Sequence, residues 1–249
     1  MSKLFFLCLS FISIPSYSDA YVTLSPSIDR VFYREYSEKG ETLNTESGFL
    51  PGFKISSGFE FSESIRMIIE GYYGENHIKY DGFLQSGQPY LTKSKMIKSD
   101  LRLGMEFSFI SHGLNVSIGK HKWDRHILPR NGVIKLSEYY YWKSLNIGYR
   151  YSVNDSECFL ELSELFDAGL FVDLTEVGYG LISVPMPNGY GFNTGLSYDI
   201  SSMLSGWRAG LELKVHHFNR SKTSFTGGVG ITEPENVTIQ LRMLLSHSF

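Results

Sequence analysis

Asp124 and His126 stand at i and i+2 in the stretch Trp123-Asp124-Arg125-His126. On an extended chain that spacing puts a carboxylate and an imidazole on one face and turns Arg125 away. Such a pair can orient and deprotonate water for hydrolysis. His216-His217 offers further imidazoles, and Asp167 and Asp173 flank a long connecting stretch. We take Asp124, His126 and His217 as the catalytic candidates. A hydroxyl, imidazole and acid for acyl transfer can also be composed from Ser94, His77, Glu75 and His217, although only composition groups them. Each residue has a plainer role as a strand-end partner in ion pairs or hydrogen bonds, and the balance leans away from an enzyme. His121 and His126 fall on opposite faces and no close Cys/His spacing exists, so no metal is expected. "GYGFNTG" (Gly189 to Gly195) misses a dinucleotide fingerprint by one residue and opens a strand, and "TGGVG" (Thr226 to Gly230) lacks a phosphate-loop lysine. No cofactor is expected.

The elements that must position these residues are strands. Val237, Ile239, Leu241, Met243 and Leu245 alternate with Thr238, Gln240, Arg242 and Ser246. The same period runs through Ile65 to Tyr73, Leu101 to Phe109, Leu114 to Ile118, Tyr141 to Tyr151, Phe192 to Ile200 and Trp207 to Val215. Roughly ten strands emerge, several longer than the five or six residues usual in soluble sheets. Short turns fall at Ser62 to Ser64, Ser111 to Gly113, Ser152 to Glu157 and Ser201 to Gly206. Long connections fall at Ser37 to Gly48, Glu75 to Lys95, Leu128 to Lys135, Asp167 to Asn188 and Asn219 to Glu235. Tight turns at one end, long loops at the other and an even strand number describe a transmembrane antiparallel up-and-down β-barrel with both termini on the periplasmic side. Eight or twelve strands remain open, because the first strand (Ile28 to Ser37) alternates poorly and Gly169 to Ser183 could hold extra structure.

The first residues read as a processing segment. Lys3, the apolar run Leu4 to Ile14 and the small residues around Ser18 and Ala20 suit a secretory signal, 1–20, ahead of a barrel over 21–249. Its removal leaves Cys158 alone, so no intramolecular disulfide is expected. A formal net charge of -3 over 249 residues gives no basic field for nucleic acid.

The signal segment together with the alternating last strand, Leu241, Met243 and Leu245 ending on Phe249, resembles bacterial outer-membrane β-barrel proteins. "GFLPG" (Gly48 to Gly52) and "WDRHI" (Trp123 to Ile127) resemble small, uncharacterised proteobacterial members. The resemblance implies that Phe249, Leu245, Met243 and Leu241 form the signal read by the barrel-assembly machinery, although His247 stands where a large apolar residue is common. It also implies outer-membrane lipid and lipopolysaccharide as surroundings, and a monomer. Ten strands is the omptin protease count, but the doubled Asp of that family's site is missing.

Inside such a barrel the polar face should carry Arg30, Arg34, Lys54, Glu60, Arg66, Glu70, Lys98, Asp100, Arg102, Glu106, Arg150, Glu161, Glu212, Lys214 and Arg242. Facing pairs whose numbers sum to 172 set Glu70 against Arg102 and Arg66 against Glu106. A sum of 454 sets Glu212 against Arg242. Such charges either fill the lumen or line a narrow channel for ions or small solutes. The filled lumen is favoured, giving a structural or surface-interaction barrel that presents its long loops. A rim enzyme acting on lipid A or peptide is the further alternative.

Overall fold

The computed structural model describes residues 20–83, 88–130, 132–226 and 228–248. The elements are β1 (Ala20–Tyr36), β2 (Thr42–Ser62), β3 (Ile65–Phe83), β4 (Pro89–Phe109), β5 (His112–Ile127), β6 (Leu136–Val153), β7 (Ser156–Leu174), a 3-10 turn (Thr175–Val177), β8 (Gly180–Pro185), β9 (Gly189–Asp199), β10 (Trp207–Phe218), β11 (Ser224–Thr226), β12 (Val229–Ile231) and β13 (Glu235–Ser248). Each of β1 to β7 pairs antiparallel with the next. The ring then runs β7, β9, β10, β13 and back to β1, which closes ten strands with no free edge. Closure is what hydrocarbon demands, since an open edge would leave backbone groups unpaired.

The signal segment 1–19 and Phe249 lie outside the described residues. The first strand starts at Ala20, eight residues before its expected start, and its phase is opposite to the one expected. Arg30 and Arg34 face out, Arg30 over the rings of Phe32 and Phe49, while Asp29 and Glu35 are buried inside. Two of the expected long loops are mostly strand: β2 begins at Thr42, and β3 and β4 run on to Phe83 and Pro89. Gly169 to Ser183 holds the end of β7, the 3-10 turn and part of β8. At the bulge by Asp167, whose φ is 50°, β7 changes partner from β9 to β8, and β8 pairs with β7 alone among the described strands.

β1 to β7 run 16 to 21 residues, whereas about 9–11 suffice to cross a bilayer. The surplus shows in the outer face. Along β3, Ile65, Met67, Ile69 and Tyr73 point out, followed by Glu75, His77, Lys79 and Asp81. Along β5, Leu114, Val116 and Ile118 point out, followed by Lys120, Lys122, Asp124 and His126. An apolar outer belt therefore rises from the tight turns, and above it the wall is polar outside. The inner face inverts in step. Below, it carries charges; above, Tyr33, Leu50, Ile78, Met96, Trp123, Tyr140, Leu170 and Val184 form a buried core. The lower half is built as a membrane barrel, and the upper half as a soluble one set on top of it.

Candidate functional site

The lumen has three levels. At the turn end a cavity of about 600 Å³ reaches Ser201, Gly206 and Ser248 and is walled by charges. The register sets Arg66 opposite Glu106, Glu70 opposite Arg102 and Glu212 opposite Arg242. Facing residues are not always the nearest partners. Arg66 binds Glu106 at 2.5 Å, but Glu106 also holds Arg150 at 3.1 Å. Glu70 is 2.7 Å from Lys54 and 3.7 Å from Arg102, whose closer partner is Glu161 across the lumen. Long side chains reach over the bore, so the network ties together strands that share no backbone bonds.

The middle level lies between the two cavities. Arg242 donates to both oxygens of Asp29, at 2.9 Å and 3.1 Å, in the bidentate geometry that gives the strongest ion pairs. Tyr72 donates to Asp29 at 2.5 Å and Gln240 donates to the same oxygen; the Tyr72 ring lies 3.9 Å under the Arg242 guanidinium. The Tyr72 ring lies along the wall because its hydroxyl end passes over Gly74, where any Cβ would strike it, and so reaches Asp29 two strands away. Lys98 reaches Gln240 at 3.4 Å, and Asp100 pairs with His121 at 2.7 Å and Lys214 at 3.6 Å. His121 in turn meets Ser144 at 2.9 Å and stacks on Trp142. Asp100, His121 and Ser144 thus run in the order of an acyl-transfer triad, but Ser144 is 2% exposed and lines neither cavity. With no space beside its oxygen for a carbonyl, the chain acts as a strut.

The outer level holds the cluster that the sequence reading did not find. Arg125, 1% exposed, donates to Glu46 at 2.5 Å, Glu138 at 2.6 Å and Glu35 at 2.8 Å, while its guanidinium lies 4.8 Å from the Tyr33 ring centre. A fourth carboxylate, Glu233, enters from the segment before β13. Tyr33 and Tyr140 hydroxyls lie 3.2 Å and 3.1 Å from it, and the Asn236 amide donates to it at 3.0 Å. Burial first, then the Glu35 and Glu138 carboxylates, push the Glu233 carboxyl well above the usual carboxylate range. Residues 229–234 line one side of a second cavity of about 430 Å³ under the mouth, with Arg125, Glu138, Leu170 and Val172 among the walls opposite.

The catalytic candidates do not gather here. Asp124 and His126 share a face, but it is the outer one, because β5 turns its odd residues inward. His126 meets Ser137 at 2.9 Å and packs against Tyr139. His217 also lies on the outer wall, 2.9 Å from Glu235 and packed at a tilt against Tyr190. Glu75 and His77 face out as well, with Glu75 paired to Lys95, whereas Ser94 faces in. Leu241, Met243 and Leu245 lie on the outer belt along β13. Arg125 had one sequence signal: it is the residue that points away from Asp124 and His126.

No protein-family model and no curated protein matches the sequence. Among solved structures, the chain is similar to the outer membrane protease OmpT from Escherichia coli, with a TM-score of 0.53 and 10% identity over 96% of this chain and 99% of that one. It is also similar to the translocator domain of the autotransporter NalP from Neisseria meningitidis, with a TM-score of 0.52 and 8% identity over 92% and 88%. At such identities the likeness is one of fold. With its closed ten-strand ring, apolar belt and charged lumen, the chain is a β-barrel of the outer-membrane type.

Proposed function

We propose that the protein is a non-conducting outer-membrane barrel whose task is carried by its upper half, which it presents as a rigid, capped surface for interaction outside the cell. The observation that carries this reading is the middle level: beside the Asp29–Arg242 pair, Lys98 reaches Gln240 and Asp100 reaches Lys214 from β4 to the opposite side of the ring, between the lower cavity and the upper one. A conducting pore needs a continuous polar path, and here the core of Trp123, Tyr33 and Tyr140 lies above that lock. Outer-membrane lipid and lipopolysaccharide surround the belt in this reading, the barrel-assembly machinery inserts the chain, and the barrel works as a monomer. A rim protease is disfavoured because Asp124 and His126 face outward.

Planar-bilayer conductance of the refolded protein at several salt concentrations tests the reading. Silence is expected from a sample whose gel mobility changes on boiling, as a folded barrel's does. Discrete ion-selective steps would favour the channel instead.

A further inference from the structure

The outer cluster is unbalanced in a way the lower network is not. Four carboxylates, Glu35, Glu46, Glu138 and Glu233, converge on one guanidinium. The other groups facing them are phenols: Tyr33 from β1, Tyr80 from β3 and Tyr140 from β6. Four negative charges cannot be buried against a single positive one, so the cluster must retain protons when closed. Three of the carboxylates sit on wall strands and bind Arg125 directly. Glu233 does not; it belongs to the connection from β10 to β13, described at 219–226 and 228–234, whose residues 229–234 line the upper cavity.

That segment is held lightly elsewhere. Its own ladder is the short pair β11–β12, with Ser221 N donating to Glu233 O at 2.9 Å and Glu233 N donating to Ser221 Oγ at 2.8 Å. Beyond itself it packs beside β8, Ile231 lies against the upper core, and Arg220 reaches Glu38 at 3.5 Å on the exposed rim. Glu233 is its buried anchor, 3% exposed and placed among wall carboxylates.

We propose that the segment 219–234 is a proton-operated lid: it closes the outer mouth while the Glu233 carboxyl is neutral, and swings away from Glu35 and Glu138 when that carboxyl ionises. Opening would uncover the apolar wall of the upper cavity, Leu170, Val172 and Leu174, and leave the middle lock shut. This rests on the capped-surface reading and adds what controls the cap. The sign follows from linkage. A carboxyl whose docked pKa is raised stabilises docking fully below its ordinary pKa, and that stabilisation fades as pH rises towards the docked value. Between the two, the open fraction rises about tenfold per pH unit for one proton released.

The test is amide hydrogen exchange of the refolded, full barrel between pH 5 and pH 8, with intrinsic rates corrected and the peptides covering 219–234 compared with those in β3 and β4. Lid protection should fall by about tenfold or more over that range while strand protection stays level. Glu233→Gln keeps the shape without the titration and should hold the lid protected at both pH values. Glu138→Gln removes a repelling neighbour, which lowers the docked pKa of Glu233 and narrows the window, so lid protection should fall less between pH 5 and pH 8 than in the wild type. Lid protection that is equal at pH 5 and pH 8, or a transition that survives Glu233→Gln, would overturn the lid. Loss of strand protection in parallel would show instead that the whole barrel opens, which also overturns it. Bilayer conductance is independent of this result, so a conducting but pH-responsive protein would sink the capped-barrel reading alone.

Discussion

The middle lock and the outer cluster are both buried ion networks, yet they are balanced differently. In the lock, Arg242 faces Asp29 and Glu212, Lys214 faces Asp100, and neutral donors from Tyr72 and Gln240 complete the oxygens. In the cluster, one arginine answers four carboxylates, and Glu46 Oε2 and Arg125 Nη2 make no hydrogen bond to protein. A satisfied buried network fixes one geometry, whereas an unbalanced one holds only under the conditions that neutralise it. On the readings proposed above, the difference is between a lumen shut permanently at one level and capped conditionally at another.

Removing the cation from each network should expose that difference. Arg125→Leu would leave three wall carboxylates buried without a counter-charge and should cost about 3–5 kcal/mol. The measure is the urea midpoint of unfolding in detergent, read by gel mobility. A midpoint within error of wild type would mean the carboxylates are already neutral and the arginine is dispensable. Acidification should rescue part of the loss, since protonation supplies what the arginine did.

Arg242→Leu comes next, with a cost nearer 3 kcal/mol, because Asp29 keeps the Tyr72 and Gln240 donors after the cation is gone. Acid should rescue it less. Its distinctive readout is the bore: with the lock opened, leak current should appear in planar bilayers only when the lid is open as well. Leak from Arg242→Leu that is equal at pH 5 and pH 8 would merge the two levels into one gate.

A smaller effect should separate the lid from the wall within the cluster. The Tyr33 hydroxyl stands between Glu35 at 2.7 Å and Glu233 at 3.2 Å and has one hydrogen to give. Tyr33→Phe should cost about 1 kcal/mol. The loss should appear in lid protection at pH 5, where the lid is docked, more than in global unfolding. An equal loss in both would place the hydroxyl's work in the wall alone.

The sequence made the lower barrel legible and hid the upper one, and one physical cause explains both. Where the outer face meets hydrocarbon, apolar and polar residues must alternate, so Ile65 to Tyr73 and Val237 to Leu245 declare both strand and phase. The register Arg66 to Glu106 and Glu212 to Arg242 followed from charge arithmetic on those segments. Above the belt both faces admit polar side chains. Glu75 to Asp81 then reads as loop although it is strand, and Arg30 and Arg34 seem to point inward although Asp29 and Glu35 do. The outer cluster also draws on β1, β2, β5, β6 and a connecting segment, and Glu46 and Glu233 both fell in stretches read as loops. Pairwise arithmetic between neighbouring strands cannot assemble five elements. Asp124 and His126 show the same limit: a shared face was legible, but whether it met lumen or solvent was not.

The smallest effect belongs to a pair with ideal geometry in the wrong place. Lys143 and Asp167 meet at 2.7 Å on the outer wall, closer than Arg242 meets Glu212, but both side chains are about half exposed or more. Water already solvates each charge, and fixing a long lysine costs rotamer freedom, so Lys143→Ala should change stability by about 0–1 kcal/mol. The substitution should also be blind to salt beyond that margin and leave lid exchange untouched at both pH values. Asp167 carries a second term, since its φ of 50° places a side chain in the left-handed region at the bulge. Asp167→Gly relieves that conformation at the expense of chain entropy, and the two terms are of similar size, about 1 kcal/mol each. A loss of several kcal/mol from either change would mean that short ion pairs matter here regardless of burial. The contrast between lock and cluster would then rest on distance and not on the balance of buried charge.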